Sequence, residues 1–235
     1  MKKQDLIILL ILILLFLPFF ISDDIYSAYK MFNAKHAYIM SFIKFAVLAT
    51  YGEVIGSRIR RGSYNLEGFG LLPRAIIWGF LGLTIKAAFT IFSTGAPIIL
   101  SYLGMQDTQT IMASPITGAK LLIAFCISLT MNLTFSPVLM TFHKITDLHI
   151  NKYNGSLSCF LHQINFGKTL REIDWNIHWG FILKKTIPFF WIPAHTITFL
   201  LPVDFQILFA AMLGIALGII LAFASSAKTV NSNEE

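Results

Sequence analysis

Residues 119–142 read AKLLIAFCISLTMNLTFSPVLMTF, and this stretch decides the class of the protein. It carries one charged side chain, Lys120, and a helix needs roughly 20 apolar residues to cross about 30 Å of hydrocarbon. The sequence predicts an all-α fold, a polytopic membrane helical bundle of about six transmembrane helices in a single integral membrane domain, 1–235. The six predicted spans are 6–22, 37–56, 73–93, 119–142, 178–200 and 203–224.

The composition of the whole chain favours the same class. Apolar types make up 56% of the 235 residues and charged types only 13%. Soluble domains carry about 25% charged residues, so the surplus apolar surface needs lipid. This composition excludes a secreted disulfide scaffold, a disordered chain and an ordinary cytosolic enzyme. The two cysteines, Cys126 and Cys159, give no disulfide framework.

The basic residues predict the orientation of the spans. If the spans alternate in direction, one side of the membrane receives most of the basic residues between spans, and the other side receives only Lys30 and Lys35. The positive-inside rule then places both termini and the loop 143–177 inside. The net charge of +6 is interpreted as this topology signal, and no nucleic-acid partner is expected. The inner basic residues are Lys2, Lys3, Arg58, Arg60, Arg61, Arg74, Lys144, Lys152, Lys168, Arg171 and Lys228.

The first apolar stretch, 6–22, has two interpretations. It comes after Lys2 and Lys3, as the apolar part of a secretory signal peptide would. No small-residue cleavage pattern comes after it, because two aspartates are next. An uncleaved membrane anchor is therefore the favoured interpretation.

Two other patterns concern helix packing and irregular segments. Small residues at intervals of four let helix backbones approach closely, either within the bundle, which we favour, or between subunits of a homo-oligomer. The prolines of the fifth span are expected to bend or interrupt it. In the outer segment 95–118, the apolar piece 96–100 is expected to re-enter the membrane or lie on it. The small residues are Gly52, Gly56, Ala210, Gly214, Gly218 and Ala222.

Four basic or potentially basic side chains lie at a similar depth, in the outer third of the predicted bundle, on four different spans. They are Lys44, Lys86, Lys120 and His195, and no carboxylate lies within a span at that depth. Together they predict an electropositive outer vestibule for anions or phosphorylated metabolites. The alternatives are that each lysine reaches up to the interface and that His195 is a packed, neutral histidine. Asn132, deeper in its span, either bonds a neighbouring helix or lines the pathway.

The inner end of the bundle suggests a structural ion pair between Glu53 and Arg74. The pattern His143-x-x-x-Asp147-x-His149 contains metal-ligand types, but helical geometry turns His149 away from the other two. No phosphate loop, nucleophile elbow or zincin motif is present. We therefore expect no metal, no cofactor, no catalytic residues and no enzyme activity. A membrane enzyme would need His143, Asp147 and a third acid or histidine in one cavity.

Several short motifs between Gly52 and Gln206 resemble those of the peroxisomal membrane protein family. This family contains the twenty-two-kilodalton peroxisomal membrane protein and its mitochondrial inner-membrane relatives. Where the family has Asp, Asn and Arg, this chain has Met131, Thr198 and Gln206. The resemblance implies a compact helical membrane protein, with pore or small-solute channel activity proposed for some members. The residues that carry it are Gly52-Glu53, Met131-Asn132, Pro137, Trp191-Ile192-Pro193, Thr198-Phe199, Pro202 and Gln206.

The sequence therefore supports two main hypotheses of function. The first is a multi-pass protein that forms a channel or transport pathway for a small, anionic solute. The second is a non-transporting membrane scaffold or assembly factor that acts through the inner loop 143–177. Because no Arg- and Ser-rich transit peptide opens the chain, a bacterial cytoplasmic membrane is favoured over an organelle membrane.

Overall fold

The computed structural model describes residues 3–62, 64 and 66–231, and every regular element in these residues is helical. The all-α prediction is confirmed for this part of the chain. A 3-10 helix covers Leu157–Leu161 and a π-type helix covers His178–Trp191. The α-helices are α1 (Lys3–Phe16), α2 (Pro18–Ile21), α3 (Asp23–Lys35), α4 (Ala37–Arg61), α5 (Leu71–Tyr102), α6 (Thr108–Ala113), α7 (Gly118–Lys152), α8 (Phe166–Glu172), α9 (Trp175–Ile177), α10 (Ile192–Leu200) and α11 (Val203–Asn231).

Polar side chains before the helices fix several of their starts. Ser22 Oγ accepts a hydrogen bond from the Ile25 N–H at 3.3 Å, at the start of α3. Thr117 Oγ1 accepts one from the Lys120 N–H at 3.2 Å, at the start of α7. Such N-caps satisfy backbone donors that have no partner within the helix. They explain why two of these helices begin where the apolar pattern alone gives no sharp boundary.

Helix α7 continues well beyond its predicted span. The sequence predicts a span over 119–142 and a loop over 143–177, but the helix ends at Lys152. Ile145, His149 and Ile150 are buried along one face of this extension. That amphipathic stripe carries the helix past the apolar stretch. The loop prediction is therefore wrong for 143–152, and short helical turns occupy part of 153–177.

Helix α5 also extends past its predicted span, 73–93, and ends at Tyr102. The piece 96–100, expected to re-enter the membrane or lie on it, is the last part of this helix. Ala96 and Pro97 are both buried in the bundle. Their packing offsets the roughly 3 kcal/mol by which an internal proline disfavours a helix. The Thr108 hydroxyl then donates to the Pro97 carbonyl at 3.1 Å and joins α6 to α5.

The predicted first span, 6–22, is divided into α1 and α2. Pro18 lies at the start of α2, where its missing N–H costs no helical hydrogen bond. Near the start of α1, Asp5 forms two bonds with Arg58 of α4, from Nε at 3.1 Å and from Nη2 at 3.2 Å. Near the end of α1, Phe16 packs against the main core. Both ends of α1 are thus joined to the rest of the molecule.

The predicted fifth span, 178–200, is one helical segment of two types. The π-type helix contains Pro188, and α10 comes next with Pro193 in its first turn. Pro193 supplies no N–H donor at this junction, while the Ile192 N–H beside it bonds the Ile187 carbonyl of the π-type helix. The prolines thus accompany a change of helix type within the fifth span. Helix α11 begins after Pro202 and ends at Asn231, beyond the predicted end of the sixth span at residue 224.

Five helical segments pack into one bundle. Helix α4 contacts α5 and α11, α5 contacts α7, α7 contacts α10, and α10 contacts α11. The contacts therefore close into a ring around the main hydrophobic core. Three of these helices are long and apolar enough to cross a membrane, over Ala37–Ile59, Leu71–Tyr102 and Gly118–Lys152. A shorter apolar stretch covers Val203–Ile219 in α11.

The small residues bring α4 and α11 into backbone contact. A Cβ atom on Gly52 would lie 2.8 Å from Ile215 Cα, and one on Gly218 would lie 2.9 Å from the Gly52 carbonyl oxygen. Ala210, in the same stripe of α11, is 3% exposed. The structure thus uses the described part of the stripe within the bundle. The Ala222 side chain lies outside the described part.

The close approach of α4 and α11 predicts the effect of one methyl group. Gly52→Ala should lower the free energy of unfolding by about 1–3 kcal/mol, because the new Cβ meets backbone that cannot rotate away. Gly95→Ala in α5 is the matched control, since nothing lies within 4 Å of its added Cβ. Helix propensity makes that control as stable as the parent or up to about 1 kcal/mol more stable. Equilibrium unfolding in detergent micelles measures both; equal stabilities for the two variants would contradict the packing described.

Candidate functional site

Arg74 is the centre of a polar network at one end of the bundle. Its side chain lies on α5, and the residue is 8% exposed. Nη1 contacts Glu53 Oε2 of α4 at 2.9 Å and also the Asp147 carboxylate of α7. Nη2 donates to Asn151 Oδ1 at 2.9 Å, and Nε donates to the Phe69 carbonyl at 2.7 Å. Every nitrogen of the guanidinium therefore has an acceptor, as a buried charge requires.

Glu53 extends this network to two aromatic side chains. Its Oε1 accepts a hydrogen bond from Trp78 Nε1 at 2.9 Å and lies 3.0 Å from His143 Nε2. The His143 and Trp78 rings also contact each other, with centroids 4.4 Å apart. The predicted Glu53–Arg74 ion pair is present, and α7 adds His143 and Asp147 to it. We call Glu53, Arg74, His143 and Asp147 the inner cluster, because the sequence predicts that this end of the bundle faces inside.

A cavity of about 510 Å³ opens beside the inner cluster. We call it the inner cavity. Its wall is formed by α4, α5, α7, the π-type helix and α11, and most of this wall is apolar. Trp191 also lines the inner cavity, and its Nε1 donor is buried without an acceptor among the described residues. The inner cavity therefore has an apolar body and a charged end.

A second cavity, of about 610 Å³, lies at the other end of α5. We call it the outer cavity. Lys86 and Lys120 both line it, together with polar residues of α5, α6 and α11. Lys120 Nζ donates to the Ser114 carbonyl at 2.7 Å. The Lys86 ammonium forms no hydrogen bond or ion pair with any residue that the structure describes. No aspartate or glutamate is among the described lining residues.

Lys44 faces a different neighbour. Its Nζ donates to Asn33 Oδ1 of α3 at 2.6 Å and lies 5.2 Å from the centre of the Tyr29 ring. Both Lys44 and Asn33 are buried. The structure therefore brings two of the four predicted basic side chains, Lys86 and Lys120, together in one cavity, while Lys44 packs against α3 instead of lining that cavity.

Asn132 and His195 contact each other in the core. The Asn132 amide lies 3.0 Å from His195 Nδ1 through its nitrogen and 3.1 Å through its oxygen. Asn132 also donates to the Ser128 carbonyl at 2.8 Å and accepts from the Ser136 hydroxyl at 2.9 Å. Asn132 is 0% exposed and His195 is 7% exposed. This geometry matches the packing alternatives for both residues, an interhelical bond and a packed histidine.

Aromatic rings around His195 separate the two cavities. The Phe89 and Phe199 rings lie 4.9 Å apart, and Phe89 lies edge-on to His195 at 5.6 Å. The Trp191 ring stacks on His195 at 5.2 Å. Phe89 and Phe199 line the outer cavity, whereas Trp191 lines the inner cavity. We call Phe89, Trp191, His195 and Phe199 the aromatic barrier.

Sequence reasoning places His143 and Asp147 on one helix face but does not connect them with Glu53 and Arg74. The available signal is the spacing of residues 143, 147 and 151, which puts three polar side chains on the face of α7 that meets α4 and α5. His149 is turned away, as expected, and its Nε2 lies 2.9 Å from the Cys159 carbonyl. Within the described residues, no three His, Cys, Asp or Glu side chains are arranged to hold a metal ion.

Comparison of the chain with protein-family models, with curated proteins and with solved structures finds no match. The resemblance to the peroxisomal membrane protein family therefore stays a prediction. What the protein does has to be argued from its two cavities and the barrier between them.

The Asn132 network predicts a cost for removing its amide. Asn132→Leu should lower the free energy of unfolding by about 1–3 kcal/mol, because His195 and the Ser136 hydroxyl lose a buried partner. Thr134→Val is the control on the same helix: Thr134 is exposed, and its hydroxyl donates to the Thr130 carbonyl of its own helix. That control should stay within about 0.5 kcal/mol of the parent. Unfolding in micelles compares the two; equal stability of Asn132→Leu and the parent would contradict a structural role.

Proposed function

We propose that this protein is a multi-pass membrane protein that forms a pathway for a small anionic solute. In this proposal six membrane spans carry the chain through a bacterial cytoplasmic membrane, with both termini inside. The outer cavity receives the solute, and the inner cavity holds it before release. The protein belongs, on this proposal, with solute channels and carriers rather than with enzymes.

The observation that carries the proposal is the pair of cavities on either side of the aromatic barrier. Both volumes fall within the range of about 300–1,000 Å³ that is typical of small-molecule sites. A bundle with a solid core would need neither. Two half-pathways separated by a few side chains are what a carrier or a gated channel requires, because the barrier must open on one side at a time or only briefly.

The charge of the outer cavity supports an anion as the solute. Lys86 and Lys120 line it with no carboxylate among the described lining residues. A concave site with charges of one sign raises the local concentration of the opposite ion. The neutral polar side chains that line it could bind the solute after it enters; they are Thr90, Ser93, Thr94, Gln109 and Gln206.

The basic residues support the proposed orientation. Arg58, Arg74 and Lys144 lie at the same end of the bundle as the inner cluster, and Lys168 lies in the segment after α7. The positive-inside rule assigns that end to the cytoplasm. The outer cavity then faces the opposite side.

The alternative function, a scaffold or assembly factor, is favoured by one observation. The segment after α7 exposes a series of large apolar side chains, and such patches commonly bind partners or lipid. A scaffold would use this surface and would not need the two cavities. The exposed side chains are Leu157, Phe160, Leu161, Phe166, Trp175, Ile177 and Trp179.

The orientation can be tested with single cysteines. Tyr102→Cys and Lys168→Cys replace exposed residues at the proposed outer and inner sides. Cys126 and Cys159 are first replaced by alanine, so that only the introduced cysteine can react. Burial raises the pKa of the Cys159 thiol and already slows its reaction with maleimide. A membrane-impermeant maleimide should label Tyr102→Cys in intact cells and Lys168→Cys only after the membrane is opened. Labelling of Lys168→Cys in intact cells would reverse the proposed orientation.

Flux through reconstituted liposomes tests the function itself. We expect uptake of at least one of three labelled anions, chloride, phosphate or benzenesulfonate, above that of protein-free liposomes. Lys86→Met and Lys120→Met should each reduce it about three- to tenfold, since each removes a charge that concentrates the anion. Lys35→Met is the matched control, because Lys35 is an exposed residue of α3 outside the cavity. The proposal fails if none of the three anions enters, or if Lys86→Met behaves like Lys35→Met.

A further inference from the structure

The inner cluster carries an imbalance of charge when its histidine is neutral. Two carboxylates, Glu53 and Asp147, contact the single guanidinium of Arg74. This leaves one net negative charge in a place where Arg74 is 9% exposed and the two carboxylates are 20% and 19% exposed, by side chain. A net charge in a partly desolvated site is costly. It also repels any anion that enters the inner cavity.

The other charged groups around the inner cluster do not remove this imbalance. Lys144 Nζ lies 4.0 Å from Asp147 Oδ2, but its side chain is 40% exposed, and an ion pair with such an exposed partner contributes little. Arg61 and Asp174 both line the cavity and oppose each other in sign. His178 of the π-type helix faces the cavity and bonds Thr141 Oγ1 at 3.0 Å. Helix α11 adds no charged side chain to the described wall.

His143 is the side chain that can cancel the imbalance. Its Nε2 lies 3.0 Å from Glu53 Oε1, and its side chain is 22% exposed, so water in the cavity reaches it. A neutral imidazole can bind a second proton, and both of its ring nitrogens are then donors. A proton taken from the inner aqueous side stays on the imidazole beside Glu53 and brings the inner cluster to neutrality. The repulsion of an entering anion then disappears.

The wall of the inner cavity indicates which anion fits. Phe45, Ile85, Leu139 and Met140 form an apolar surface that suits a carbon body rather than a hydrated inorganic ion. An organic anion brings a carbon body that matches this wall.

We propose that the inner cavity binds a small organic anion together with one proton, which His143 accepts. This inference rests on the proposed function, because it makes the passage of the anion coupled to a proton. The anion and the proton bind as a pair with no net charge, so binding leaves the total charge of the inner cavity unchanged.

Titration calorimetry on the full-length protein in micelles tests the pairing. The probes are benzenesulfonate and hexanesulfonate, which stay ionised at every pH used, so any proton taken up binds to the protein. Titrations in buffers of different protonation enthalpy, over about pH 6–9, count the protons taken up per anion bound. The count should reach at least about half a proton within this range. It should fall toward acidic pH, because an imidazole that already carries the proton cannot take up another.

Two variants identify the proton acceptor. His143→Gln keeps an N–H donor toward Glu53 but cannot take up a proton, so it should bind the probe more weakly and without proton uptake. His162→Gln is the control, since His162 is exposed, stacks on Tyr153 and lies outside the cavity. It should match the parent protein in both measurements. If His143→Gln does not fold, the pH dependence of proton uptake by the parent protein tests the inference by itself.

The inference is overturned if the probes bind with no proton uptake at any pH, if His143→Gln takes up as many protons as the parent, or if neither probe binds. The calorimetry needs no flux, so its result is separate from the liposome experiment. Anion flux without proton uptake would support the proposed pathway and contradict the joint binding of anion and proton. Joint binding without flux would support the binding site and contradict the pathway.

Discussion

A guanidinium taken out of water needs acceptors for its N–H groups, and in this protein that need fixes one end of the bundle. Arg74 reaches α4 through Glu53, α7 through Asp147 and Asn151, and the loop before its own helix through the Phe69 carbonyl. Loss of any one partner leaves a buried polar group unmatched, which is why such networks hold a single arrangement. The positions of α4, α5 and α7 at this end therefore depend on one side chain.

The same network gives the inner cavity its character. Because three helices converge on Arg74, the cavity between them has a charged end, while the middle of the bundle is closed by apolar and aromatic packing. At the opposite end, α6 and the turn before α11 leave room for the outer cavity, where two lysines lack carboxylate partners among the described lining residues. One bundle thus has a network of charges of both signs at one end, and at the other a cavity with two lysines and no carboxylate among its described lining residues. That asymmetry is what a directional pathway for an anion would use.

Much of the architecture can be derived from apolar patterning, but the ends of the helices cannot. The Glu53–Arg74 pair and the deep Asn132 can be predicted because an ionisable or amide group in an apolar helix must find a partner. The partner of Lys44 could not be predicted, since 23–35 reads as a loop and only the folded α3 brings Asn33 to it. The extension of α7 was hidden because its amphipathic stripe resembles a polar loop when only hydropathy is considered. The contact of Asp147 with Arg74 depends on how three helices cross, which residue spacing within one helix does not determine.

A double-mutant cycle between Arg74 and Asp147 tests the central claim most directly. Arg74→Met, Asp147→Asn and the combined variant are compared with the parent by equilibrium unfolding in micelles. If Arg74 organises the inner end of the bundle, the two changes are coupled by at least about 2 kcal/mol, and the combined variant is much more stable than the sum of the single losses implies. Losses that add to within about 0.5 kcal/mol would show that the two side chains act independently and would contradict the account.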